Sequence, residues 1–104
     1  MIQWHRPLYV DENIKESPAA IRRRFRFRKY PGDYYFIIIP EGKDMPEIIK
    51  ALYLKGQIHR SSEIIIAGVA PGKAQAFDLF AKMAQDAYSA TGQVNIRAFL
   101  KQQS

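Results

Sequence analysis

The uninterrupted apolar run Ile64-Ile65-Ile66-Ala67-Gly68-Val69 constrains this chain more than any other feature. A run without polar alternation suits a strand buried on both faces, so each side of it must be covered. The break Ala70-Pro71-Gly72-Lys73 and a long helical pattern closed by Gly92 follow directly, which makes a β-loop-α unit. Tyr34-Tyr35-Phe36-Ile37-Ile38-Ile39 reads as a second enclosed strand, aromatic and β-branched and stopped by Pro40.

A chain of 104 residues has room for one domain, residues 1–104, with a single core. A sheet covered on both sides is a stretch for that length, so a partner copy is a plausible cover and a homo-oligomer is expected as an option. At 47% hydrophobic residues the composition excludes a disordered tail. The absence of cysteine excludes disulfides, Cys-ligated zinc, iron–sulfur clusters and thiol nucleophiles. No apolar run approaches the roughly 20 residues that cross a bilayer, and residues 1–6 carry no apolar signal core. A cytoplasmic protein without membrane contact is the expectation.

The net charge of +6 is local. Residues 22–29, Arg-Arg-Arg-Phe-Arg-Phe-Arg-Lys, hold six of the sixteen basic residues and no acidic one, which leaves ten basic against ten acidic elsewhere.

Leu8-Tyr9-Val10 is expected to be a short first strand, with Pro7 suiting its start or an edge. Ser17-Pro18 offers an N-cap and a first-turn proline, which predicts a helix over 18–29 with Ile21 and Phe25 near one face. The alternative is a hairpin over 22–39. Phe25 and Phe27 alternate with arginines at period two, and Tyr30-Pro31-Gly32-Asp33 is a good turn. Asp44 and Glu47 have the spacing of a capping pair, predicting a helix that carries Ile48, Ile49, Leu52 and Tyr53 on one side and stops at Gly56. Residues 57–62 form a polar link. Over 73–90, Phe77, Phe80, Ala81, Ala84 and Tyr88 recur at three and four, with Ala76, Leu79 and Met83 widening the face. Asn95 is placed to cap a last short helix. The order β-α-β-α-β-α predicts a small α/β domain with a three-stranded, mainly parallel sheet and right-handed crossovers. An α+β arrangement with the 22–39 hairpin is its alternative.

Taken together, Leu8-Tyr9-Val10, Ala51-Leu52-Tyr53-Leu54-Lys55, Ile66-Ala67-Gly68, Tyr88, Thr91-Gly92, Ile96-Arg97 and Phe99-Leu100 resemble a family of short uncharacterised bacterial proteins. That family has no assigned activity, so the resemblance implies no catalytic residues.

Two candidate sites stand out. The basic block Arg22, Arg23, Arg24, Arg26, Arg28 and Lys29, with its interleaved phenylalanines, has the chemistry to neutralise phosphates and stack bases, and on a helix Arg22, Arg26 and Lys29 share a face. Its bland counterpart is a solvated helix face whose arginine stems cover apolar surface. The loop with Gly68, Gly72 and Lys73 is a weaker anion site, because backbone N–H groups and an ammonium can meet a phosphate there. Ala67 and Ala74 stand where a P-loop needs glycine and Ser or Thr, and no GxGxxG occurs, so a plain turn at Pro71-Gly72 is the favoured reading. Pro31-Gly32-Asp33-Tyr34 departs from the RRM signature and no GxxG marks a KH loop. His5 and His59 lack ligand spacing, so no metal, cofactor or catalytic residue is expected.

The leading expectation is a non-enzymatic interaction module whose basic segment contacts nucleic acid or an acidic protein. A small-ligand or enzymatic domain is the alternative. It would use a strand-end rim of Asp11, Glu12, Glu41, Lys43, Asp44 and Lys73, with Asp11, Asp44 and Lys73 sharing one pocket.

Overall fold

The computed structural model describes residues 2–26, 34–53 and 63–103. The strands are β1 (Ile2–Val10), β2 (Tyr35–Pro40), β3 (Glu47–Lys50) and β4 (Ile64–Ala70). The helices are α1 (Pro18–Arg26), α2 (Lys73–Thr91) and α3 (Ile96–Gln103). The four strands form one mixed sheet in the order β1-β4-β2-β3. β1 runs parallel to β4, whereas β2 runs antiparallel to both β4 and β3.

The protein is therefore α+β, and the expected three-stranded, mainly parallel sheet is not what forms. The two enclosed strands are where the apolar runs place them, β4 between β1 and β2 and β2 between β4 and β3. Their direction differs: Tyr35 lies opposite Ala70 and Pro40 opposite Ile64. Burial on both faces marks a central strand of either orientation, so an apolar run carries no information about direction.

The second departure is β3. The segment opened by Asp44 is expected to be helical, yet 47–50 pairs with β2, Glu47 opposite Ile38 and Lys50 opposite Tyr35, and only 51–53 turns helical. As a strand, this segment sends Ile49 to one sheet face and Ile48 to the other, and both faces have a cluster to receive them. Leu52 and Tyr53, expected on a buried helix face, are 64% and 63% exposed. The turn between β2 and β3 passes through Gly42 at φ +78, a conformation glycine adopts without penalty. The predicted stop at Gly56 and the 57–62 link lie outside the described residues.

Other boundaries agree with the sequence. The backbone N–H of Ala20 donates to Ser17 Oγ at 3.2 Å, so Ser17 caps α1. Residues 22–26 are helical, so the 22–39 hairpin does not form, although the α+β class it implied does. α2 ends where Gly92 turns left-handed and its N–H donates to Tyr88 O. Ala98 N–H donates to Asn95 Oδ1 at 3.0 Å, so Asn95 caps α3.

The sheet separates two cores. α1 lays Ile21 and Phe25 against Phe36, Ile38, Ile64 and Ile66. α2 and α3 lay Leu79, Met83, Ile96 and Phe99 against Ile37, Ile39 and Ala67. On α2 the buried residues are Ala76, Leu79, Met83 and Ala87, one position N-terminal to Phe77, Phe80, Ala84 and Tyr88. The helix is thus turned by about 100° from the face its aromatics suggest, leaving Phe77 and Tyr88 at 54% and 61% exposure.

Gly68 explains part of that rotation. A Cβ there would lie 3.2 Å from Leu79 Cδ2, 3.2 Å from the Tyr9 carbonyl oxygen and 3.3 Å from Ile37 Cδ1. The missing side chain lets α2 sit close to the sheet through Leu79. Gly68→Val should therefore overpack this junction and cost about 1–3 kcal/mol, read as a lower midpoint in urea or thermal unfolding.

Candidate functional site

β1 is an edge strand with a pronounced irregularity. Trp4 pairs with Ile66 and Tyr9 with Gly68, so residues 5–8 span a stretch that β4 crosses with Ala67 alone. The strand bulges there, His5 stays buried, and Arg6 and Pro7, joined by a cis peptide bond, are exposed. Ile2, Trp4 and Arg6 alternate along β1, and Ile2 and Trp4 join the α1-side core, so Arg6 continues toward α1.

On α1, Ala19, Arg22 and Arg23 are spaced at i, i+3 and i+4 and share a face. With Ile2, Trp4, Arg6 and Phe25 they line a cleft of about 520 Å³. Among the described residues, three of the seven that line it are arginines and none is acidic. Among the described residues, Arg6, Arg22 and Arg23 have no carboxylate within ion-pair distance. The aromatic wall is ordered by its own contacts. The Trp4 and Phe25 rings meet edge to face with centroids 5.2 Å apart, and Phe25 meets Phe36 in the same way at 5.7 Å.

The expected basic block is thereby divided. Arg22 and Arg23 enter the cleft, while Arg24 forms an ion pair with Glu16. The hydrogen bond from the Arg24 guanidinium to that carboxylate raises the arginine's pKa still further. Arg26 ends α1, and Arg28 and Lys29 lie outside the described residues. Arg6 is the cleft residue that sequence reasoning did not include. It stands far from the block in sequence, and the only trace of it was the period-two array Ile2, Trp4, Arg6.

The loop candidate disperses. Gly68 is inside β4 and serves packing; Gly72 precedes α2 in extended backbone, and Lys73 is an exposed first residue of that helix. The strand-end rim divides as well. Antiparallel β2 carries Glu41, Lys43 and Asp44 to the end where Pro40 meets Ile64, while Asp11, Glu12 and Lys73 stay at the other end. α3 meets this end through the backbone: the Asp44 carbonyl accepts the Arg97 N–H, and Arg97 Nη2 donates to Pro40 O at 2.6 Å.

A larger cleft of about 770 Å³ runs between residues 7–13 and the first half of α2, with Asp11, Glu12, Asp78 and Lys82 on its walls. Two of its charged groups, Asp11 and Lys82, are engaged in holding the structure. Asp11 Oδ1 accepts from Asn13 N–H and Nδ2 at 2.9 Å each, and Lys82 reaches Asp86 at 3.5 Å. The Tyr9 hydroxyl donates to Asp86 Oδ2 at 2.8 Å, tying β1 to α2. Burial, then the Asp86 hydrogen bond and charge, hold that hydroxyl's pKa well above the usual phenol value. Among the described residues no group of three His, Cys, Asp or Glu side chains is arranged to hold a metal, and no helix is long and apolar enough to cross a membrane.

No family model, curated protein or solved structure matches the chain.

Tyr9 gives a pH prediction. Its proton is held more tightly in the folded chain than in the unfolded one, so its contribution is complete below the ordinary phenol value of about 10 and declines as pH rises beyond it. Tyr9→Phe should cost about 1 kcal/mol at neutral pH and should lose less stability than the parent between neutral and strongly alkaline pH, measured by urea unfolding across that range.

Proposed function

We propose that this protein is a non-enzymatic cytoplasmic interaction module that binds nucleic acid through the Arg6, Arg22 and Arg23 cleft. The observation that carries the reading is that three arginines from two elements line one concavity in which none of the described lining residues is acidic. A planar guanidinium meets phosphate oxygens with two parallel hydrogen bonds, and a cluster of them without internal neutralisation attracts a polyanion. Arg24, by contrast, is neutralised by Glu16 and is left out of the reading.

The chemistry is association. A phosphate-binding cleft of this kind releases counterions when occupied, so affinity falls steeply with salt. An acidic protein surface offers a similar field and carboxylates that pair with arginine equally well, but it has no base faces to set against the aromatic side of the cleft formed by Trp4 and Phe25.

At low ionic strength a labelled oligonucleotide should bind, with the logarithm of the association constant falling linearly against the logarithm of salt concentration. Replacing both Arg22 and Arg23 by Gln should flatten that line by about 1.4 for a single strand, on the order of 0.7 per phosphate contact removed. Absence of binding at low salt, or an unchanged slope in the double variant, would overturn the reading.

A further inference from the structure

We infer that Trp4 is a stacking platform for an unpaired base, so that the cleft takes single-stranded nucleic acid in preference to duplex. This rests on the nucleic-acid reading above and specifies which form of nucleic acid it concerns.

The inference starts from the position of the aromatic groups relative to the arginines. Trp4 lines the same concavity as Arg6, Arg22 and Arg23 and is part-exposed, while it also packs against the α1-side core. Its edge-to-face contact with Phe25 holds the ring in one orientation, and Phe25 is held in turn by Phe36, which is fully buried. The indole is thus fixed by the core while part of it remains open to solvent between cationic side chains. Cations beside an oriented aromatic ring are what a nucleotide needs, since its phosphate and its base must be satisfied together.

Duplex geometry does not suit this arrangement. In a double helix the base faces are stacked on each other, and a protein meets only phosphates, sugars and base edges unless it extrudes a nucleotide. An aromatic ring within the cleft would then contribute nothing beyond what the arginines supply. An unpaired base offers its face at no unstacking cost from a partner strand. Flanking arginines can stack on neighbouring bases as well as bind phosphate. Ala19 contributes only a methyl group to the wall of the same cleft.

The chain contains one tryptophan, so intrinsic emission reports on Trp4 directly. The experiment titrates the intact protein at low salt with a single-stranded oligonucleotide, the same sequence as duplex, inorganic polyphosphate and polyglutamate, following both Trp4 emission and the anisotropy of a label on each nucleic acid. Single strands should bind tighter than duplex and quench Trp4, while polyphosphate binds without comparable quenching. Trp4→Leu, confirmed as folded by its melting transition, should weaken single-strand binding roughly tenfold and duplex binding little, with Trp4→Phe retaining most of the affinity. Equal binding of single strand and duplex with no quenching would overturn the stacking role while leaving the phosphate cleft intact. Quenching by polyphosphate equal to that by single strands would overturn it too. Failure of both nucleic acids to bind, with or without binding of polyglutamate, would instead remove the nucleic-acid reading and this inference with it.

Discussion

The enclosure of β4 is the constraint on which the remaining structure depends. Its residues have no polar side chain to offer water, so both faces and both edges must be covered. β1 closes one edge in parallel and β2 the other in antiparallel sense; α1 covers one face and α2 with α3 the other. With only 104 residues available, every element is committed to that task. The predominantly antiparallel outcome follows economically. A short turn at Gly42 returns the chain from β2 to β3 without a crossover helix, and the remaining length is used to cover the faces.

The same enclosure accounts for the irregularities. β2 and β1 both shift register opposite Ala67, where β4 carries an extra residue relative to β2 and far fewer than β1. After this shift Val69 joins Ile64 and Ile66 on the α1 side, and Gly68 opens the other side to Leu79. The bulge in β1 is the counterpart of that adjustment. It turns Arg6 outward at the point where α1 passes, so the packing requirement at the centre of the sheet and the position of a cleft arginine share one cause.

How much of this was legible depends on whether the signal is local. The enclosed strands, the Ser17 cap, the Gly92 stop and the Asn95 cap were readable because each is written in a few adjacent residues with a direct physical meaning. Strand direction was not, because parallel and antiparallel central strands bury the same residues. β3 was missed since Glu47-Ile48-Ile49-Lys50 fits either period, and only the presence of a core on each side of the sheet decides for the strand. On α2 the aromatics misled: Phe77 and Tyr88 outweighed Ala76 and Ala87 by size, whereas close approach at Gly68 selects the smaller residues. Arg6 was invisible beside the block at 22–29, because a cleft built from two elements has no signature in either alone.

A run of five or six basic residues cannot act as one surface on a helix. Each residue is turned about 100° from the last, so the run goes right round the axis and the block must distribute itself among different tasks. α1 shows that distribution: Phe25 goes to the core, Arg24 to Glu16, and Arg22 and Arg23 to the cleft. What makes the cleft more than a charged helix face is its continuity with the interior through Phe36, Phe25 and Trp4. A ligand touching Trp4 meets a ring whose orientation is set by the sheet, so ordering that ring costs little at the moment of binding. In the proposed binding the arginines would supply attraction at a distance and the aromatic wall a prearranged contact, and the position of both follows from packing α1 against the sheet.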